Sequence, residues 1–217
     1  MKILCVPTGP LSVNTYIVFN ESAETLSNSE RIPCVVIDPA NSHKVVEVLN
    51  QNNLHCTHIL LTHGHFDHIM AAKKVKEYYQ IPVYAGIHEE ELLADAQKNL
   101  SAMWAEGFTM KADELVVDNQ KLEIAGMKIT VIETPGHTSG GVCYYIEKEH
   151  VLFAGDTLFF ESYGRTDFSG GSMFALIRSL GKKLFVLPDE TDVYPGHGQA
   201  TSIGCLLYTS DAADDLI

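Results

Sequence analysis

The 217-residue sequence is poor in positive charge, has no Cys-x-x-Cys pair and contains no long unbroken apolar run. Its 15 Lys and Arg face 28 Asp and Glu, for a formal net charge of −13. Nucleic acid and anionic membrane surfaces both require a basic face, so neither is expected as a partner. An anionic small substrate stays open, because a bound metal can outweigh the global balance at one site. No run approaches the ~18 apolar residues of a membrane span. The opening MKILCVPTGPLSV carries one Lys and an apolar run broken by Pro7, Gly9 and Pro10, unlike the apolar region of a secretory signal. Five cysteines, Cys5, Cys34, Cys56, Cys143 and Cys205, are odd in number and widely spaced. They read as reduced thiols, mostly in the core of a cytoplasmic protein. None sits in a nucleophile signature, so cysteine catalysis is not expected.

What is present is ordinary for a globular chain with a real core: 46% hydrophobic and 20% charged residues. The length fits one generous domain or two small ones. KILCV and NTYIVF read as two early strands, and the polar stretch from Glu21 to Ile32 as a hairpin tip. CVVIDP and THILLT read as buried strands. Between them, Val45, Val46, Val48 and Leu49 have helical spacing, with Ser42 expected as N-cap. A helix is expected from Asp67 to Tyr79, with Asp67 as its N-cap. The strand IPVYA and the short helix HEEELLADA follow. Gln97 to Asp113 has no clean period and reads as a long loop of the kind often placed over a site. ELVVD, KLEIA, MKITVIET, VCYYIE and HVLFAGD read as strands, GSMFALIRSLGKKLFVL begins as a helix, and DVYPGHG is a last strand and turn. Strands and helices thus run through the same succession twice, which suggests two sheets with helices outside them.

The chemistry concentrates in LLTHGHFDHIMAA, Leu60 to Ala72. There an apolar strand ends in His63, His65, Asp67 and His68, residue types that suit zinc or iron. In extended chain, residues two apart point the same way, so His63 and His65 can share an ion. Three more donors stand at strand ends, each directly after a glycine: His137 after Gly136, Asp156 after Gly155 and His197 after Gly196. Glycine there allows a sharp bend or a close backbone approach. A catalytic zinc takes about three protein ligands, so seven donors are too many for one ion. Two ions sharing Asp156, about 3.5–4 Å apart as in two-metal hydrolytic sites, would use all seven.

THGHFDH, PGHT, GD and YPGHG, in this order, resemble the metallo-β-lactamase superfamily. GRTDF, Gly164 to Phe168, resembles its small bacterial hydrolases similar to hydroxyacylglutathione hydrolase (glyoxalase II), and their persulfide dioxygenase relatives. The resemblance spans residues 1 to about 204. It implies an α/β fold, an αββα four-layer sandwich with the metals at one edge of the sheets. It further implies that His63, His65 and His137 hold one ion, that Asp67, His68 and His197 hold the other, and that Asp156 bridges them. Asp38 would stand behind the ligands and fix their loop. The implied cofactors are two Zn2+, with iron or manganese able to substitute. The implied reaction is hydrolysis of a small acyl thioester such as S-lactoylglutathione by a metal-bridged hydroxide, with Asp67 orienting the water. A one-iron persulfide dioxygenase and a non-catalytic metal-binding protein are the alternatives. A β-lactamase is less expected, because the best-known zinc lactamases place a cysteine where Asp156 stands, and the acidic chain disfavours the RNA-processing nucleases.

Two features depart from the family. Larger glyoxalase II proteins add a C-terminal helical domain that helps hold glutathione, whereas only 20 residues follow His197 here. The ending CLLYTSDAADDLI, residues 205–217, is unlike the family's and reads as foreign sequence appended to a domain of residues 1–204. Tyr163 and Arg165 are candidate substrate contacts, Arg165 with Asp167 a candidate supporting pair, and Trp104 a candidate cleft residue. His43, His55, His58, His88 and His150 lack ligand spacing, and Tyr144 and Tyr145 read as strand packing.

Overall fold

A computed structural model describes residues 1–21, 31–104 and 106–209. Most of the expected hairpin tip, residues 22–30, and the end of the tail, residues 210–217, lie outside the described residues. The chain runs β1 (Lys2–Thr8), β2 (Val13–Phe19), β3 (Ile32–Ile37), α1 (Ser42–Gln51), β4 (Leu54–Leu60), α2 (Phe66–Ile69), α3 (Ala72–Tyr79), β5 (Val83–Gly86), α4 (Glu90–Leu93) and β6 (Glu114–Val116). The second half runs β7 (Lys121–Ile124), β8 (Met127–Glu133), β9 (Val142–Ile146), β10 (Val151–Gly155), β11 (Leu158–Phe159), β12 (Ser162–Tyr163), α5 (Met173–Ser179), β13 (Asp192–Pro195), β14 (Thr201–Ser202) and α6 (Ile203–Thr209). β1 to β6 form one sheet in sequence order, and the other has the order β14-β13-β10-β9-β8-β7.

Three apolar clusters set the layers. Tyr16, Val18, Val35, Ile37 and Leu60 of the first sheet pack against Leu122, Ile129, Val131, Tyr144 and Phe153 of the second. On its outer face the first sheet packs on Val45 and Leu49 of α1 and on Ala72 and Val75 of α3. The second sheet's outer face packs on Leu176 of α5, Leu180, Leu184, and Ile203 and Leu206 of α6. The arrangement is αββα. β2, β3 and β10 are buried along their length because layers cover both of their faces. Cys34, Cys56 and Cys143 are buried among these strands, whereas Cys5 is exposed.

Several local expectations are corrected. Asn41, not Ser42, caps α1, its side chain accepting from Lys44 N–H at 3.0 Å. The helix expected from Asp67 to Tyr79 is two helices. The break falls where Ala71 N–H donates to Pro39 O (3.0 Å). Asp67 is not a cap either: His65 occupies that position without a side-chain cap bond. The carboxylate of Asp67 turns to His197 instead, with Oδ2 3.3 Å from Nε2. The small β11–β12 hairpin and β14 had no signal in the pattern. The expected long loop is real, with one 3-10 turn at Ser101–Met103. Asn99 Nδ2–H donates to Phe108 O (2.9 Å) to close it on itself, and Asn99 O accepts from Phe66 N–H (2.8 Å), which ties it to α2.

Candidate metal centre

β3, β4, β8, β10 and β13 all point their C-terminal ends at the same edge of the sandwich. Asp38, His63, His137, Asp156 and His197 follow these strands within a few residues. Parallel pairing of β3 with β4 and of β10 with β13 makes the ends coincide. Ligand sites in open α/β sheets form at such carboxyl ends. Close packing at glycines brings the turns together. A Cβ on Gly196 would lie 2.2 Å from Asp156 Oδ1 and 2.7 Å from His68 Cε1, so any side chain there would displace donors. Gly155 has φ +49°, and a Cβ on it would lie 2.4 Å from Thr62 Oγ1.

All seven expected donors converge. His63, His65 and His137 present donor atoms within 4.8 Å of one another, as do Asp67, His68 and His197, and also His63, His68 and Asp156. Asp156 stands between the first two groups. Its Oδ1 is 3.4 Å from His68 Nε2, and its Oδ2 is 3.6 Å from His137 Nε2 and 3.7 Å from His197 Nε2. None of the five remaining histidines joins a group among the described residues.

The outward nitrogens of the rings are held by acceptors. His68 Nδ1–H donates to Asp38 Oδ2 (2.9 Å), His137 Nδ1–H to Arg165 O (2.7 Å) and His197 Nδ1–H to Leu11 O (3.1 Å). Each ring is left with its Nε2 facing inward, the arrangement that orients a histidine for a metal. His63 Nδ1 lies 3.1 Å from Thr62 Oγ1, whose own hydrogen goes to Asp38 Oδ2 (2.6 Å). His65 Nδ1 lies 2.9 Å from His137 Nε2.

The test of fit is what the protein leaves unsatisfied. Nε2 of His63, His65 and His68 and Oδ1 of Asp156 are buried with no hydrogen-bond partner. Such orphans are costly, and a divalent cation would satisfy them together. Burial holds His63 well below its ordinary pKa, with His68 and His65 adding to the effect, and pushes His65 down to about 3, helped by His137. Both are therefore neutral, as metal ligands must be. Burial opposes charge on His68, but Asp156 and Asp38 overcome it and raise its pKa well above the usual value. Burial likewise opposes ionisation of Asp67 and Asp156. The hydrogen bond from His197 outweighs it at Asp67, and the charge on His68 at Asp156, so both carboxyls lie below the usual range. Two ionised carboxylates thus lie where the inward-facing nitrogens meet. The residues present fit divalent metal.

The remaining candidates are placed around this centre. Trp104 stacks on Phe66 (centroids 5.3 Å apart), beside His65. Arg165 makes a two-pronged pair with Asp167 (2.6 Å each) and lies over the Phe168 ring, while its carbonyl holds His137. Tyr163 is exposed on the β11–β12 hairpin. Tyr144 packs in the intersheet core as expected, and its hydroxyl also donates to Leu61 O (2.8 Å), tying the sheets together just before the donors begin.

Residues without a metal-type signature complete the support. From β2, Asn14 N–H donates to Gly196 O (2.7 Å), its side-chain amide to Pro195 O and Gly198 O, and Tyr16 Oη–H to Pro195 O (2.6 Å), fixing the His197 turn. Glu89, fully buried, accepts from Gly64 N–H (2.7 Å), Thr138 Oγ1–H (2.6 Å) and Gly140 N–H (2.9 Å). A carboxylate at the end of β5 was a possible signal for it, but HEEELLADA offers three adjacent glutamates and only the fold singles one out.

Known proteins match this chain along almost all of it. Probable metallo-hydrolase YqgX of Bacillus subtilis (strain 168) is 36% identical over 206 residues, 94% of this chain and 93% of the relative. Hydroxyacylglutathione hydrolase GloC of Haemophilus influenzae is 27% identical, over 86% of this chain and 89% of its own. The crystal structure of BLEG-1 B3 metallo-beta-lactamase superposes with a TM-score of 0.86 at 36% identity, covering 95% of this chain and 96% of that one. TTHA1623, solved in a di-iron-bound form, gives 0.80 at 32% identity, covering 96% and 98%. ETHE1 from Myxococcus xanthus gives 0.78 at 28% identity, covering 96% and 82%. The model of the metallo-beta-lactamase superfamily matches residues 9–197, a span that takes in every donor named above, and the chain belongs to that superfamily.

Proposed function

We propose that the protein is a hydrolase that holds two divalent ions, zinc by preference, and cleaves acyl thioesters of the S-lactoylglutathione type. The observation that carries this reading is the meeting of two three-residue donor groups at Asp156. In it, His63, His65 and His137 hold one ion, Asp67, His68 and His197 the other, and Asp156 reaches both. Divalent ions held there supply Lewis-acid polarisation of a carbonyl oxygen and lower the pKa of water toward about 7.

The chain's own groups do the rest. Asp67, ionised and 3.3 Å from His197 Nε2, orients the attacking water and accepts its proton. Substrate enters over the side where His197 and Asp156 are most open, at 28% and 13% side-chain exposure. The β11–β12 hairpin and the Arg165 loop flank that approach, and Tyr163 and Arg165 are its substrate contacts. A thiol has a pKa of about 8.5, so the leaving group departs as thiolate without a dedicated acid. An amine leaves far less readily without a proton, so amides turn over more slowly.

The similarity to hydroxyacylglutathione hydrolase GloC supports the thioester. The similarity to BLEG-1 B3 metallo-beta-lactamase favours a second reading, β-lactam hydrolysis at the same centre. Metal analysis of purified protein, with parallel assays of S-lactoylglutathione, a β-lactam, and oxygen uptake with a persulfide, separates the readings. Two ions per chain and thioester turnover well above the other two are expected. Faster β-lactam turnover selects the second reading. One iron per chain with oxygen uptake replaces both with dioxygenase chemistry.

A further inference from the structure

Glu89 ends a 3-10 turn, Ile87–Glu89, that follows β5 in the first sheet, and it is 0% exposed. Among the described residues no Lys or Arg pairs with it. A buried carboxylate without a cation must be compensated by hydrogen bonds. Glu89 has three, and all come from the two loops that carry one donor group. Oε2 accepts from Gly64 N–H, the peptide between His63 and His65. Oε1 accepts from the hydroxyl of Thr138, the residue after His137, and from Gly140 N–H. The first loop leaves the first sheet and the second leaves the opposite sheet. Burial raises the pKa of Glu89, while these hydrogen bonds pull it back down.

The surrounding packing makes this a fixed strut. A Cβ on Gly140 would lie 2.3 Å from His88 C and 2.5 Å from Glu89 N, and a Cβ on Gly86 would lie 2.3 Å from Gly140 O. A Cβ on Gly64 would lie 2.9 Å from Leu92 Cδ2 and 3.1 Å from Glu89 Oε2. The Gly140 loop therefore packs backbone to backbone on the Glu89 turn, and the Gly64 backbone packs on the side chains of Leu92 and Glu89. None of the three bonds of Glu89 is to Asp67 or His68, which stand on α2, or to His197, which stands on the turn after β13.

We propose that Glu89 is a positioning residue that sets the distance between His63–His65 and His137, and so selectively governs the ion held by those three histidines. The inference rests on the two-ion reading above. Only an acceptor on both oxygens serves. Glutamine would turn its NH2 either toward the Gly64 N–H or toward the Thr138 hydroxyl and the Gly140 N–H. A backbone N–H cannot reverse, so one loop must shift.

The test is zinc affinity of the full chain, measured by competition with a chromophoric chelator, together with the absorption spectrum of the cobalt-loaded protein. Glu89→Gln is compared with wild type and with exposed Glu90→Gln as control. Loss of an outer partner typically weakens metal binding about 10–100-fold. The expected result is that weakening at one of two zinc sites, a changed cobalt spectrum there, the other site unchanged, and wild-type behaviour of Glu90→Gln. Two wild-type affinities in folded Glu89→Gln overturn the proposal, as does equal weakening at both sites. Should Glu89→Gln fail to fold, Thr138→Val decides, since it removes one donor and keeps the carboxylate. Weakening confined to one site supports the strut, and unchanged or uniform affinities overturn it. Fewer than two zincs on wild type would instead refute the two-ion reading.

Discussion

Asp38→Asn separates positioning of a ligand from supply of one. Asp38 is buried, with Oδ1 accepting from Thr62 N–H (2.8 Å) and Oδ2 accepting from Thr62 Oγ1–H (2.6 Å) and His68 Nδ1–H (2.9 Å). Its φ is +50°, a region that Asn tolerates, so the backbone need not move. The amide NH2 has two places to go. Opposite His68, it can be accommodated only if Nδ1 gives up its hydrogen and Nε2 takes one, which blocks the nitrogen that faces Asp67 and Asp156. Opposite Thr62 N–H, it leaves a buried backbone donor unsatisfied, at about 1–3 kcal/mol. For a chain of this size that corresponds to a Tm lower by about 2–12 °C. The first outcome shows as zinc affinity about 10–100-fold weaker at the site of His68, with fold and Tm kept. The second shows as the lower Tm in the metal-free protein. Chelator competition and thermal unfolding of metal-free Asp38→Asn, measured together, must show one or the other. Wild-type zinc affinity at both sites with an unchanged Tm would refute the reasoning.

His137→Ala removes one donor from the turn after β8 and leaves the three apolar clusters intact. Thioesterase activity should be lost while the far-UV circular dichroism stays that of wild type, and a wild-type rate would exclude His137 as a ligand. Gly196→Ala forces a methyl to within 2.2 Å of Asp156 Oδ1 and 2.7 Å of His68 Cε1. Overpacking of this kind costs about 1–3 kcal/mol, so the metal-free Tm should fall and zinc content should drop. A crystal or solution measurement showing both unchanged would mean the turns are looser than described. Chelator should abolish turnover, and zinc should restore it. Free zinc at 100-fold over Kd should raise stability by about 2.7 kcal/mol for each site filled, relative to the chelated protein, read as a rise in Tm.

The donors were legible in the sequence because their chemistry is local. His63, His65, Asp67 and His68 fall within six positions, and His137, Asp156 and His197 each follow a glycine at a strand end. The two-sheet arrangement was legible because apolar strands recur in both halves, and three clusters now account for it. The errors arose where tertiary contacts overrode local rules. Asp67 has the side chain of a cap, but α2 begins at Phe66, one residue before it, and its carboxylate turns to His197 from 130 residues away. The helix after it carries no Gly or Pro to mark a break. It breaks because Pro39, at the end of a neighbouring strand, offers Ala71 N–H a carbonyl.

The support behind the donors was hidden for a further physical reason. A ligand is recognisable by its element preference, whereas a group that positions a ligand is defined only by what it faces. Asn14, Thr62 and Tyr16 hold backbone carbonyls and a carboxylate, tasks that many side chains perform in any strand. Glu89 bonds partners 25, 49 and 51 residues away, on loops from both sheets. Its neighbours Glu90 and Glu91 carry the same group into solvent, so nothing short of the sheet register distinguishes it. That register also explains why one carboxylate can serve both loops. Sheet-on-sheet packing brings Gly86 against Gly140, and Leu92 of α4 packs against Gly64, so the turn after β5 is wedged between the two histidine loops. A metal centre assembled from two sheets needs such a wedge, because hydrogen bonds within either sheet alone cannot set the distance between them.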